Sequence, residues 1–182
     1  MAVREMMTIG NPVLRAPARP LEAEEIVSEE IQTLVEDMVD TMHELDGVGI
    51  AAPQVGESIQ LAVVEIAVES SRYPDEEEFT LEVFINPRIT VVDETEQGFW
   101  EGCLSVPNLR GYVERPRKVQ VEYTRLDGDE CVIVAEDFLA TVLQHELDHL
   151  DGRLFLDRVR DTTKIATVED YQRYWLEEPT ID

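Results

Sequence analysis

Lysine is almost missing from this chain: Lys118 and Lys164 stand against thirteen arginines. Cysteine stops at Cys103 and Cys131, and histidine at three residues. Two thiols allow at most one disulfide, and nothing else points to an oxidising compartment. Each is therefore expected to be a ligand, a nucleophile or core filler. No apolar run approaches the ~18 residues of a membrane span. The opening Met-Ala-Val-Arg-Glu-Met-Met carries early charge and no apolar signal core, so a cytoplasmic protein is expected, neither secreted nor membrane-bound. Repeats, low-complexity tracts and linkers are absent too, and 182 residues read as one domain, 1–182.

What the chain has in excess is acid. Asp plus Glu reach 40 against 15 Lys plus Arg, a formal net charge of −25. A field of that sign repels phosphates, so direct nucleic-acid binding is not expected. Acid excess with scarce Lys resembles the cytoplasmic proteins of salt-accumulating halophiles, where ions screen the self-repulsion. The screening length falls from about 10 Å at 0.1 M to ~3 Å at 1 M, so Tm is expected to rise with added KCl. A Tm that stays flat up to molar salt refutes the halophilic reading.

The apolar pattern gives the elements. Ser28 caps a helix through Ile31, Leu34, Val35, Met38, Met42 and Leu45, with Glu29 and Glu30 in its first turn. Gly47 to Gly56 breaks it. Ile59 to Ile66 and Leu81 to Ile85 read as strands, joined by an exposed acidic loop through Asp75–Glu78. Val91 and Val92 suggest another. Val119 to Tyr123 alternates at period two, and Cys131 to Val134 follows the Asp127-Gly128 turn as its hairpin partner, with Cys131 packed as a buried thiol. A second helix runs from Asp137, its expected cap, to Leu150, with Gly152 left-handed behind it. Its leucines 139, 143, 147 and 150 read as core, and His43 on the first helix as solvated. The tail forms a short third helix before Pro179. Helix, several strands, helix and tail without regular alternation make an α+β fold with a mostly antiparallel sheet.

Chemistry concentrates in the second helix, where His145-Glu-Leu-Asp-His149 is an H-E-x-x-H pattern. Residues i and i+4 share one face, so both imidazoles reach a single metal. Glu146, about 100° around the helix, reaches a metal-bound water without ligating. A catalytic divalent ion takes three protein ligands and leaves one position open. No histidine follows His149, so the third ligand is Asp151, Asp157, Asp161 or the Cys103 thiolate. Asp148 either orients a ligand imidazole or makes a salt bridge.

Three segments together resemble the peptide deformylases: Gly47-Val-Gly-Ile-Ala-Ala-Pro-Gln54, Glu101-Gly-Cys-Leu-Ser105 and His145-Glu-Leu-Asp-His149. Asn11 to Arg15, Asn86-Pro87, Val106 to Arg110 and Gly152 to Phe155 extend the likeness over most of 8–158, leaving a tail at 159–182. The resemblance implies Cys103, His145 and His149 as metal ligands. It implies removal of formyl from the N-terminal formyl-methionine of nascent polypeptides, with release of formate. The chemistry the resemblance implies is attack of a metal-bound hydroxide on the formyl carbon, with Glu146 as general acid/base. Gln54 and the Leu104 N–H resemble the family's oxyanion donors. Val48, Phe99, Phe138 and Val142 match the methionine pocket. Glu101 and Arg110 match substrate-side positions, while Gly49 and Gly102 admit the substrate backbone.

One divalent metal per chain is implied, Fe²⁺ in cells, with Zn²⁺, Ni²⁺ or Co²⁺ as the alternatives such ligands can hold in isolated protein. The implied partners are formyl-Met peptide ends, with transient ribosome proximity, and the protein is expected to be a monomer. Some bacterial members dock on the ribosome through a basic C-terminal helix. Here residues 158–182 carry four cations against six acids, which counts against that route. An H-E-x-x-H endopeptidase and a non-catalytic binding protein are the competing readings. The first lacks a downstream third His, and the second is opposed by intact Glu146, Cys103 and Gln54.

Overall fold

The computed structural model describes residues 2–67 and 77–176. The proposed acidic loop from Asp75, and Pro179, fall at least partly outside them. Helices α1 (Ala23–Ile26) and α2 (Glu29–Glu44) lead into β1 (Gly49–Ala51), a 3-10 turn (Ala52–Val55), β2 (Leu61–Ile66), β3 (Phe79–Cys103), β4 (Val106–Thr124) and β5 (Glu130–Glu136). Helix α3 (Asp137–Leu150) follows, then β6 (Ile165–Thr167) and α4 (Val168–Tyr174). The sheet order is β1-β2-β3-β4-β5, with β6 paired to β4, and every one of these pairings is antiparallel. The α+β architecture is the expected one.

The sheet lies between two helices. Leu61, Val63 and Ile85 pack with Met38 and Met42 of α2, while Ala62, Val64 and Phe84 pack with Leu143 and Leu147 of α3. Burial on both faces explains why Leu61 to Val64 reads as an unbroken apolar run. A third cluster, of Leu14, Cys103, Val106, Val113, Leu154 and Phe155, closes the end of the molecule where the functional residues gather.

Ser28 caps α2 as expected, its side chain accepting from the Ile31 N–H. Leu143, Leu147 and Leu150 are buried, Leu139 packs half-buried against them, and His43 is exposed beside Glu65. Gly152 takes φ +71. Four local readings change. The strands around Leu81–Ile85 and Val91 are one strand, β3, with register shifts at Ile85/Arg88, Val91/Asp93, Asp93/Glu96 and Glu101/Cys103, the first of which takes in Pro87. Asp137 is not the cap of α3. Glu136 holds that place, and the Asp137 carboxylate accepts from Arg117 at 2.6 Å. Cys131 is only half-buried, because β5 is an edge strand. Strand β6 was not anticipated: a three-residue segment carries no readable period.

Candidate active site

Helix α3 sets the His145 and His149 rings one turn apart, centroids 5.1 Å from each other. The β3–β4 hairpin brings the third group. Cys103 ends β3 and pairs with Val106 across the Leu104-Ser105 turn, which delivers the thiol to the helix face. Ligand atoms of Cys103, His145 and His149 all lie within 4.8 Å of one another, and Cys103 Sγ is 3.4 Å from His149 Nε2. The three aspartates go elsewhere. Asp151 pairs with Arg153, Asp157 accepts from Arg15 and the Leu154 N–H, and Asp161 caps the turn at Thr163.

A buried chain of charges stands behind this trio. His145 Nδ1 is 2.8 Å from Glu101 Oε2, which leaves Nε2 for the thiol side. Arg115 donates to both Glu101 oxygens at 2.6 and 3.0 Å and to Asp148 at 2.8 Å. Arg158 donates to Asp148 from the other side at 3.0 Å. Burial alone would raise the Glu101 and Asp148 carboxyls. Hydrogen bonds from His145 and Arg115 hold Glu101 below its ordinary value, and those from Arg158 and Arg115 do the same for Asp148. The carboxylate that orients a candidate ligand ring is thus Glu101, not the neighbouring Asp148, which makes salt bridges. Sequence reasoning put Glu101 on the substrate side because sequence adjacency says nothing of where its oxygens point.

Burial pushes the Cys103 thiol up, but the His149 and His145 imidazoles more than offset this and bring it down to about 5. A thiolate and two imidazoles in one small volume form a borderline-soft set that suits a divalent transition metal. Glu146 Oε2 and His149 Nδ1 are buried with no hydrogen-bond partner among the described residues. An unpartnered carboxylate oxygen beside that donor set fits a site completed by an ion and its water.

Burial also raises the Glu146 carboxyl, with the His145 and His149 charges opposing. Gly49 makes room for it: a Cβ there would stand 2.5 Å from Glu146 Oε1. Gly49→Ala is therefore expected to displace the carboxylate and cut turnover at least about tenfold with the metal retained. Metal analysis alongside kcat checks this.

Gln54 is buried, its Oε1 accepting from the Ala51 N–H at 2.8 Å. Its Nε2 donates to Ser105 Oγ at 3.2 Å and lies 3.5 Å from Cys103 Sγ, so its amide faces the trio. Leu104 sits in the adjoining turn. The Arg110 guanidinium covers Gly102, where any Cβ would collide with it, so this glycine serves the packing of Arg110.

Val48, Phe99, Phe138 and Val142 come together around one cavity of about 250 Å³ that His145 and Glu146 also line. Trp100, Thr141 and Tyr171 line it too, and sequence reasoning named none of them. Arg115, Arg158 and Ser105 were likewise missed. An Arg in an alternating strand gives no sign of being buried, although Trp100 next to Phe99 was a visible aromatic signal.

Fold and site together define a metal-binding α+β hydrolase of the H-E-x-x-H kind. A family model described as polypeptide deformylase matches residues 3–164. The chain is 43% identical over 170 residues to the peptide deformylase of Leptospira biflexa, covering 93% of this chain and 95% of that one. It is 40% identical over 167 residues to peptide deformylase 2 of Pseudomonas syringae pv. tomato, covering 92% and 93%. The class I type b peptide deformylase of Acinetobacter baumannii, solved with Met-Ala-Ser bound, superposes with a TM-score of 0.83 at 40% identity, covering 87% of this chain and 99% of that one. An actinonin complex of the Synechococcus elongatus deformylase gives 0.78 at 36% identity, over 88% and 81%. The chain belongs to the peptide deformylase family.

Proposed function

We propose that this protein hydrolyses the formyl amide of N-terminal formyl-methionine on nascent polypeptides, yielding formate and a free α-amine. The observation that carries the reading is the unpartnered Glu146 oxygen, buried between the Cys103-His145-His149 donor set and an apolar cavity. A divalent ion held by those three residues supplies Lewis acidity that makes water nucleophilic near neutral pH.

The chain's own groups do the rest. Val48, Phe99, Phe138 and Val142 enclose the methionine side chain. Glu146 accepts the proton of the attacking water and passes it to the departing nitrogen, and its raised pKa suits both transfers. The Gln54 amide, fixed by Ala51 and Ser105, and the Leu104 N–H stabilise the oxyanion that forms on the formyl oxygen. Glu101 keeps His145 in the tautomer that ligates. Arg110 and Gly102 border the path of the peptide. The Met-Ala-Ser held by the Acinetobacter relative has the shape of the product expected here.

In cells the expected metal is Fe²⁺, and the expected setting is the cytoplasm, as a monomeric single catalytic domain near the ribosome. Purified Fe²⁺-loaded protein is expected to release formate from formyl-Met-Ala-Ser and to leave acetyl-Met-Ala-Ser intact. Cleavage of internal peptide bonds instead supports the endopeptidase reading. Inertness toward every substrate supports a binding protein.

A further inference from the structure

Helix α4 belongs to the tail beyond the three motifs, yet one of its residues reaches the cavity. Tyr171 lines it together with Trp100, Glu101 and Gly102. The Trp100 ring lies 5.2 Å from Tyr171, 4.9 Å from Trp175 and 6.0 Å from Tyr112, centroid to centroid. Lys164 Nζ sits 4.3 Å over the Tyr112 ring. This cluster is anchored at both ends. Strand β6 pairs with β4 at Leu109–Gly111, and Thr167 then caps α4 by accepting from the Asp170 N–H. The tail is therefore held against the hairpin that carries Cys103 rather than trailing from it.

From this placement we propose that Trp100 and Tyr171 form an aromatic wall of the side-chain pocket, making the C-terminal helix a specificity element for the methionyl group. The inference rests on the deformylase reading above and adds to it the part of the pocket that the motifs do not encode. The physical basis is the chemistry of the lining. Val48, Phe99, Phe138 and Val142 supply apolar area that any aliphatic side chain could use. Polarizable ring edges add a favourable contact for a long thioether. A short side chain such as alanine does not extend to the wall and gains nothing from it.

Both tryptophans of the chain, Trp100 and Trp175, lie in this cluster, so tryptophan fluorescence, excited at the red edge where tyrosine does not absorb, reports on it alone. Trp175→Phe leaves Trp100 as the single tryptophan emitter. In Fe²⁺-loaded Trp175→Phe protein, titration with Met-Ala-Ser is expected to change Trp100 emission saturably, and Ala-Ala-Ser is not. In Tyr171→Ala, KM for formyl-Met-Ala-Ser is expected to rise about threefold to tenfold with kcat held within about twofold. KM for formyl-Ala-Ala-Ser should stay put, and Tyr171→Phe should restore the wild-type KM for the methionyl peptide.

An equal change on both substrates, an unchanged KM on both, or silent Trp100 emission overturns the assignment. The fluorescence measurement needs no turnover. Wild-type protein that releases no formate yet shows the Met-Ala-Ser response overturns the deformylase reading and leaves the wall standing.

Discussion

Glu146→Gln is expected to keep metal content near one ion per chain while kcat falls by about 10²–10⁴, the usual worth of a general acid–base. The amide keeps the size of the side chain and removes its basicity, while Cys103, His145 and His149 remain to hold the ion. Cys103→Ala is expected to act through the other quantity, stripping a ligand and a charge so that metal content itself drops. Metal analysis beside steady-state kinetics separates the two. A competing mechanism, in which Cys103 attacks the substrate with histidine assistance, predicts turnover without metal and an acyl-enzyme. Its thiol is low enough in pKa for the idea to deserve a direct test. Activity that survives complete chelation would overturn the metal mechanism.

The second large effect is on stability. Arg115 is 3% exposed and holds two buried carboxylates, Glu101 and Asp148. Arg115→Ala strands Glu101 with His145 as its only remaining partner in that hydrogen-bond chain, while Arg158 still serves Asp148. Removing one member of such a buried set costs about 3–5 kcal/mol. For a domain of this length that lowers Tm by roughly 10 °C, and calorimetry reads it directly. Because Glu101 orients His145, metal affinity is also expected to weaken about 10–100-fold, measured by chelator competition. Arg158→Ala should cost far less, since its side chain is 41% exposed and water replaces part of what it gives. Equal and small effects of the two substitutions would show that the buried charges are not mutually dependent.

Much of the site was legible because its strongest signal is local. Helical periodicity alone puts His145 and His149 on one face, and the apolar stripe of α3 fixes which face is inside. The cap at Ser28, the hairpin after Asp127-Gly128 and the left-handed Gly152 are local too, and each appears in the fold. The third donor is a different case. Read from residues alone it was one of three aspartates or Cys103, and only the family resemblance favoured the thiol. Strand β3 failed as a unit because Pro87, just after Ile85, mimics a strand end. The irregularity that accommodates it depends on pairing with β4 that no local window contains.

The amino-acid sequence by itself determined the two long helices, the strand alternation, the acidic charge and the chemistry of the H-E-x-x-H turn, since each follows from propensities and periods within a few residues. Tertiary structure decided which groups meet. Glu101 and His145, 44 residues apart, face each other only because the β3–β4 register and the packing of α3 bring them within 2.8 Å. The same holds for Arg115 between its two carboxylates and for Tyr171 beside Trp100. Such contacts form when sheet register and helix docking bury apolar area elsewhere in the core, so their energy is not written at the positions that use it.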